Sequence, residues 1–375
     1  MTPEVREKLD RLDDLFPPER LSRSKERWTR LWHGDPPLDR RPFVYAPYKL
    51  NYYDAGFSAE ERLHANLDEF LARGIAQDDF IPAFFPGCHQ GTMPNLFGAV
   101  PVQVDADFTC ARLIETPDDI DRLPPPSFSP GTVAHEWLTM QRYALEETEG
   151  RLPIHVMDMQ GPADVCGQLW GYENLLAAAY TDPVAYHVLL QKVTEAFIGF
   201  WDAQRTLAGE LFVGTHLFGW DWVPADAGAS ISADSLVMVS APFYQEFYQP
   251  YLQQIGEHFG GMAVHSCGNF SATAPALCAT PSLKAVNAGQ MSVAELVAAG
   301  VDGRTIIIAW SDVSVIGESF SHAAAHGLRL DLTVSGLWPC DEHGVKPRQD
   351  WTREDVAHVQ RTDATVQDAA ATCSR

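Results

Sequence analysis

The sequence predicts an α/β fold in which eight parallel strands close into a (β/α)8 TIM barrel. The first observation is a series of strand-like runs, most of them separated by enough residues for a helix, as in a parallel sheet. The second is that several runs are almost wholly apolar, as expected for strands covered on both faces. The third is the length of 375 residues, which allows one large barrel, although it would also allow two domains. The predicted strands are Asp79 to Phe85, Val100 to Val104, Leu152 to Met157, Leu211 to His216, Met262 to His265, Leu283 to Asn287, Arg304 to Ala309 and Leu330 to Val334.

Residues 1–40 are predicted to form an N-terminal helical extension, and residues 41–375 a single barrel domain. Thr2 can cap the first helix and Pro3 suits its first turn, while an apolar stripe follows at helical spacing. A second helical piece covers residues 22–32 and leads through a proline-rich turn into the barrel. The stripe consists of Val5, Leu9, Leu12 and Phe16.

The helices between the strands carry start and stop signals. Asp182 followed by Pro183 begins a long helix, and Gly209 follows its end. Residues 240–258 have aromatic and aliphatic side chains four apart and read as another helix, in which Pro250 predicts a kink.

The composition is that of a compact protein, with 46% hydrophobic and 21% charged residues. A formal charge of −23 would repel nucleic acid and anionic membranes, so neither is expected as a partner. No apolar run reaches the roughly 18 residues that a membrane span needs, and the first thirty residues contain no signal-peptide core. We therefore expect a cytoplasmic protein. Its seven scattered cysteines fit reduced thiols better than disulfides.

A possible metal site lies at the end of the predicted strand Met262 to His265. Alternate side chains of a strand face the same side, so His265 and Cys267 are predicted to point together. Imidazole and thiolate suit Zn²⁺, which takes three protein ligands at a catalytic site. Chance alone produces a His-x-Cys in about one such chain in four, so the pair requires a third ligand.

Cys340 is the candidate third ligand because it follows the predicted strand Leu330 to Val334. Catalytic groups of barrels sit where strands end, which would bring Cys340 to the same mouth as His265 and Cys267. Seven cysteines offer several chances of such a position, so position alone leaves the assignment open.

Four stretches follow one another in a recognisable order. They are Gly161-Pro162 with Leu169-Trp170-Gly171-Tyr172-Glu173 and Asp182-Pro183; Ala225-Asp226 with Ser240-Ala241-Pro242-Phe243 and Pro250-Tyr251; His265-Ser266-Cys267-Gly268; and Cys340. Together they resemble the uroporphyrinogen decarboxylase superfamily. Within it they resemble the zinc-dependent methyltransferase branch, which moves methyl groups between corrinoid proteins and a thiol such as coenzyme M.

The resemblance implies a (β/α)8 barrel of the uroporphyrinogen decarboxylase type with Zn²⁺ at its C-terminal mouth, held by His265, Cys267 and Cys340. It implies a methyltransferase that activates a small-molecule thiol as a zinc thiolate for attack on a methyl carbon, with a methyl-corrinoid as donor. The chain lacks the Asp-x-His-x-x-Gly signature of a corrinoid-binding domain, so the corrinoid would arrive free or on a partner protein. The family's usual glycine beside the distal cysteine is also missing, since Pro339 and Asp341 flank Cys340.

Five further residues are candidates for the site. By its match to the family's Asp-loop, Asp226 would orient the substrate or take up a proton, although a capping or salt-bridging role is the simpler alternative. Asp158 and Asp221 follow strand-like runs and could be a fourth ligand, a partner of His265 or solvated loop residues. His216 could line the mouth or be a hydrogen-bonded barrel histidine, and Trp222 could wall a pocket or pack in the core.

Other functions stay open at this level. The same zinc site could alkylate a thiol from a non-corrinoid donor. A decarboxylase-like activity is the next alternative, but residues 41–50 lack the arginine-rich motif with which the decarboxylases grip porphyrinogen carboxylates. A ligand-binding barrel without turnover, or an accessory subunit, is the alternative outside enzymes.

Overall fold

The computed structural model describes residues 1–49, 57–87, 90–104, 107–214, 221–342 and 344–372. Its strands, in chain order, are β1 (Val44–Tyr45), β2 (Pro101–Val104), β3 (Asp107–Cys110), β4 (Ile154–His155), β5 (Phe212–Val213), β6 (Ala229–Ser232), β7 (Met262–Ser266), β8 (Leu283–Ala288), β9 (Ile306–Asp312), β10 (Arg329–Ser335), β11 (Cys340–Asp341) and β12 (Gly344–Val345).

The helices, in chain order, are α1 (Pro3–Leu15), α2 (Pro18–His33), α3 (Ala59–Arg73), α4 (Thr92–Asn95), α5 (Val133–Glu147), α6 (Pro162–Trp170), α7 (Tyr172–Thr181), α8 (Pro183–Ala208), α9 (Ala241–Phe243), α10 (Gln249–Phe259), α11 (Ala274–Cys278), α12 (Val293–Ala298), α13 (Ile316–Ala325) and α14 (Arg353–Thr372). The predicted N-caps are present. The Thr2 side chain accepts a hydrogen bond from the backbone N–H of Val5, and the Asp182 side chain accepts one from the backbone N–H of Ala185.

A parallel six-stranded sheet forms most of the barrel wall, in the order β1-β10-β9-β8-β7-β6. Backbone contacts continue the wall on the other side. The N–H of Asp79 donates to the carbonyl of Phe43 at 2.9 Å, residue 84 bridges Ile154 in β4, and Gln160 bridges Ser232 in β6. The observed fold is therefore the predicted TIM-barrel-like α/β fold.

Helix α2 attaches the N-terminal segment to the barrel through buried apolar and ionic contacts. Trp28 and Trp32 belong to the same buried cluster as interior residues of β7, β8 and β9. The buried Asp79 carboxylate forms ion pairs with two arginines: its Oδ1 lies 2.8 Å from Nη1 of Arg27, and its Oδ2 lies 2.5 Å from Nη1 of Arg40. Because a buried carboxylate is tolerated only when its charge is paired, these contacts determine where α2 lies. The division of the chain at residue 40 stays a prediction.

The predicted strands do not coincide everywhere with the observed wall. Val100 to Val104 was expected in the barrel wall, but β2 pairs with β3 as an antiparallel ribbon outside it. In turn, β6 lies in the wall without having been predicted, because Ile231 is its only large aliphatic side chain. Local hydrophobicity alone does not separate a wall strand from a surface ribbon.

The helix with the predicted kink contains a wider turn. A π-helical segment, Tyr244–Tyr248, connects α9 to α10, and Pro250 lies in the first turn of α10. Proline has no N–H to give to the residue four positions earlier and its ring crowds that carbonyl, so the wider turn accommodates it. In the described part of the chain, no helix combines the length and apolar character required to cross a membrane.

The approach of β6 to β7 depends on Gly228, which precedes β6. Its φ is +94°, and a Cβ placed there would lie 1.8 Å from the carbonyl oxygen of Gly261. We expect Gly228→Ala to lower the free energy of unfolding by at least about 3 kcal/mol, because the backbone must move. Chemical denaturation would measure this. Gly98→Ala is the matched control: its φ is +87° with no heavy atom within 4 Å, so only the conformational cost of about 1 kcal/mol applies. Equal losses in the two variants would contradict the close-approach argument.

Candidate metal centre

Strand β7 carries His265 and Cys267 to the C-terminal end of the barrel. His265 is buried in the interior, and its Nε2 lies 3.3 Å from the Sγ of Cys267, which follows the last residue of β7. The predicted same-side arrangement of this pair is therefore present in the structure.

Asp234 joins this pair from the neighbouring strand. It follows β6 by two residues, and its Oδ1 lies 3.5 Å from Nε2 of His265. The same oxygen accepts the backbone N–H of Cys267 at 2.6 Å. One ligand atom from each of Asp234, His265 and Cys267 can be chosen so that all three lie within 4.8 Å of one another; this is the group of possible metal ligands found among the described residues.

Asn287 determines which nitrogen of His265 faces the cluster. Its Nδ2 donates to the carbonyl of Ile308 at 3.0 Å, so its Oδ1 points the other way, to Nδ1 of His265 at 2.5 Å. An amide oxygen only accepts, so Nδ1 carries the proton and Nε2 presents its lone pair. Metal-binding histidines are commonly oriented in this way.

The spacing of the three groups suits a small tetrahedral ion. Zinc bond lengths at a tetrahedral angle place a histidine nitrogen about 3.6 Å from a thiolate sulfur and about 3.4 Å from a carboxylate oxygen. The corresponding distances here are 3.3 Å and 3.5 Å. The residues of this site therefore fit Zn²⁺ with little rearrangement.

Asp164 positions the loop that carries Asp234. It lies in the first turn of α6, is completely buried, and accepts the backbone N–H groups of Asp234 at 2.6 Å and Ser235 at 2.8 Å. Burial, followed by the charge of Asp234, raises the pKa of the Asp164 carboxyl to about 7. Asp164 thus supports the site through the backbone rather than through the ligand side chains.

Carboxyl groups surround the Cys267 thiol. Burial, and then the charge of Asp234, raises the pKa of the Cys267 thiol to about 11, with smaller effects from Asp158 and Asp164. The carboxylate of Asp158 is itself buried and accepts the Ser232 hydroxyl at 3.2 Å. Of the two predicted substrate-binding residues that the structure describes, Asp158 and Trp222, it is Asp158 that lies close to the cluster.

Cys340 is not part of the three-residue group. It lies exposed in β11, and its thiol donates to the carbonyl of Trp338 at 3.4 Å. Its assignment as a zinc ligand stays a prediction, with Asp234 as the competing third ligand.

Asp226 lies at the other end of the barrel strands from the cluster. It precedes β6, pairs with His33 of α2 at 3.0 Å, and its carbonyl accepts the amine of Lys284 near the start of β8. This is the salt-bridging alternative considered for Asp226. Asp226 was expected at the mouth, where it would orient the substrate or take up a proton. It lies instead before β6, whereas Asp234 follows the same strand at the mouth.

Asp221 is a buried neighbour of another carboxyl group, that of Asp331 on β10. Trp222 packs partly against the interior cluster, with the amine of Lys25 5.9 Å from its ring centroid, so it contacts α2 rather than the mouth. His216 lies outside the described residues.

Sequence reasoning missed two residues of this site, Asp234 and Asn287. Asp234 could have been found only by recognising the small-residue strand β6 before it. Asn287 ends a strand that was predicted, and it is level with His265 in the parallel register. Asn287 could have been predicted as a partner of His265, because it is a polar residue at the end of the predicted strand that follows the His-x-Cys strand.

Comparisons with known proteins agree with this architecture. Residues 108–214 match the family model of uroporphyrinogen decarboxylase (URO-D), a range that ends before β6 and thus excludes Asp234, His265 and Cys267. A methyltransferase from Methanosarcina mazei has a similar solved structure, with a TM-score of 0.61 and 14% sequence identity over 91% of this chain and 98% of that chain. At this identity the likeness shows the fold. No curated protein matches the sequence. The family match is thus confined to residues 108–214, and the solved structure adds the likeness in fold.

The buried pair of Asp221 and Asp331 generates a pH prediction. Burial raises the pKa of both carboxyls, and for Asp331 the neighbouring Asp221 raises it further. The unfolded chain ionises near pH 4, so above that pH the unfolded state releases protons that the folded state retains, and stability falls. Asp331→Asn keeps a hydrogen-bond donor toward Asp221 but cannot ionise.

We therefore expect Asp331→Asn to raise the free energy of unfolding at pH 7 by roughly 1 to 2 kcal/mol, and by much less at pH 4. Urea unfolding at the two pH values would measure the difference. Asp118→Asn, which removes an exposed carboxylate, serves as the control and should have little effect at either pH. A loss of stability at pH 7 in Asp331→Asn would contradict the argument that ionisation of this buried pair destabilises the folded state.

Proposed function

We propose that this chain is a zinc-dependent methyltransferase that transfers a methyl group to the sulfur of a small thiol, with a methyl-corrinoid as donor. The observation that carries the proposal is the orientation of His265. Asn287 occupies Nδ1, so Nε2 faces Cys267 and Asp234 at the mouth of the barrel. Buried polar groups held in this way are typical of metal ligands rather than of a structural histidine.

His265 and Cys267 would hold the ion, with Asp234 or Cys340 as the third ligand and one position left for substrate. Bound Zn²⁺ would supply a positive charge that keeps a coordinated thiol deprotonated near neutral pH. One thiolate and one carboxylate from the protein balance two positive charges, which favours a nucleophilic substrate sulfur.

The acidic surroundings would serve proton removal. Asp158 is a buried carboxylate whose charge acts on Cys267 and whose Oδ1 accepts from Ser232. We assign it to take the proton of the incoming thiol. With a methyl-corrinoid as donor, the thiolate sulfur would form a bond to the methyl carbon, and the electron pair of the broken carbon–cobalt bond would stay with the corrinoid.

An apolar rim beside the cluster suits a flat donor. Trp310 is half exposed and lies on the same face of β9 as the interior residue Ile308. Val237 and Met238 follow Asp234 and are also exposed, at 43% and 45%. We propose that the donor corrinoid docks here, free or carried by a partner protein. A cytoplasmic location stays a prediction.

The family match favours a decarboxylase-like reaction as the second candidate, because residues 108–214 match the uroporphyrinogen decarboxylase model. Substrates with several carboxylates would need basic side chains at the mouth. The described groups near Cys267 are instead the carboxylates of Asp158, Asp164 and Asp234, so methyl transfer is the better supported reaction.

Metal content tests the zinc site. The purified chain is expected to bind about one zinc ion, measured by mass spectrometry of the metal after dialysis. The double variant His265→Ala with Cys267→Ala should lose it, and Asn287→Ala should bind zinc about 10- to 100-fold more weakly. Cys278→Ser is the matched control, since Cys278 lies on α11 outside the cluster. Zinc that persists in the double variant would exclude this site.

Two single variants decide the third ligand. If Asp234 binds the ion, Asp234→Ala should weaken zinc binding by at least about tenfold while Cys340→Ala leaves it unchanged. The reverse result would assign the ligand to Cys340.

Methyl transfer is tested with free methylcobalamin and a panel of small thiols. The zinc-loaded chain should cause loss of the methyl–cobalt absorbance with at least one thiol, and the double variant of His265 and Cys267 should not. If zinc binds but no thiol is methylated, free methylcobalamin is excluded as the donor while the metal site stands, and non-corrinoid methyl donors become the next assay.

A further inference from the structure

A second cleft lies away from the metal cluster, between α1, α3 and the segment before α14. Its volume is about 730 Å³, within the range of small-molecule pockets. Leu15, Leu71, Ala72 and Ile75 provide apolar walls, and Tyr48 provides an aromatic one.

Three basic side chains line this cleft: Arg11, Lys49 and Arg348. None of them forms an ion pair with a carboxylate in the described part of the chain. Asp68 is the acidic side chain among the cleft's lining residues, and Lys8 already pairs with it at 2.7 Å. Three basic side chains without an ion-pair partner among the described residues thus line one cavity of a protein that has 50 acidic and only 27 basic residues.

Aromatic rings, rather than carboxylates, hold two of these cations. The Arg348 guanidinium lies 4.1 Å from the ring centroid of Trp351, and the Lys49 amine lies 5.9 Å from that of Tyr48. Tyr48 and Trp351 are themselves in edge contact at 6.0 Å. Cation–π contacts orient a positive group without cancelling its charge, so the charge is available to a ligand.

A neighbouring cleft supplies the contrast. It is about 310 Å³ in volume and is also lined by arginines, including Arg20, Arg27 and Arg40. Each of these pairs with a carboxylate, Arg20 with Asp78 and the other two with Asp79. The arginines of that cleft are therefore structural, whereas Arg11 and Arg348 of the larger cleft have no carboxylate partner among the residues that the structure describes.

We propose that the larger cleft binds an amphiphilic organic anion, with a carboxylate or phosphate group near Arg11, Lys49 and Arg348 and an apolar body against Leu15, Leu71 and Ile75. Arginine and lysine form charge-assisted hydrogen bonds with both kinds of anion. The apolar walls require more than an inorganic ion. This site does not depend on the proposed zinc chemistry.

Calorimetric titration of the full chain tests the site, with octanoate and octyl phosphate as the two anionic probes and octylammonium as the cationic one. At least one anion should bind with one-to-one stoichiometry, and which of them binds more tightly identifies the head group. Arg11→Gln, Lys49→Gln and Arg348→Gln should each weaken binding about three- to tenfold, and the triple variant about 100-fold or more.

Arg142→Gln is the matched control, because Arg142 is an exposed arginine on α5 outside the cleft and should leave binding unchanged. Binding should also persist in the double variant of His265 and Cys267, which separates this site from the metal centre. The proposal is overturned if neither anion binds, if octylammonium binds as tightly as the anions, or if Arg142→Gln weakens binding as much as Arg348→Gln does. Circular dichroism would verify that each variant is folded.

Discussion

The hydrogen bond between His265 and Asn287 links the barrel register to the chemistry of the site. Asn287 reaches Nδ1 of His265 because the two residues are level in neighbouring parallel strands, and β9 orients its amide through the carbonyl of Ile308. Three adjacent strands thus determine one tautomer of one imidazole. A register shift of one residue between β7 and β8 would turn Asn287 away and leave both nitrogens of His265 undefined.

Several carboxyl groups surround Cys267 at this end of the barrel. Burial raises the pKa of the Cys267 thiol, and the charges of Asp234, Asp158 and Asp164 raise it further. Such a concentration of carboxylates around a thiol is costly in the absence of a cation. The raised pKa of Asp164 shows that burial disfavours its charged form. Two backbone N–H groups stabilise its carboxylate in part. The zinc ion proposed for this site would offset that negative charge.

Charge is distributed differently at the second cleft. There, aromatic rings hold cations in place, while the carboxylates nearby are engaged elsewhere. The segment between Cys340 and α14 contributes Arg348 to that cleft, and the N–H of Lys346 in the same segment bonds to the carbonyl of Pro339 at 2.9 Å. The segment that carries Cys340, one of the two candidates for the third zinc ligand, therefore also forms one wall of the proposed anion site.

The sequence by itself determined the α/β class, most of the wall strands, and the pairing of His265 with Cys267, because hydrophobic runs and the alternation of a strand are local properties. It did not identify β6, whose small side chains leave no hydrophobic signal, so Asp234 after this strand was missed and Cys340 was predicted as the third ligand. Only the tertiary structure placed Asp234 and Asn287 beside His265, and Asp221 beside Asp331. Each of these depends on which residues of separate strands lie level in the barrel, and strand register is set by packing across the whole fold.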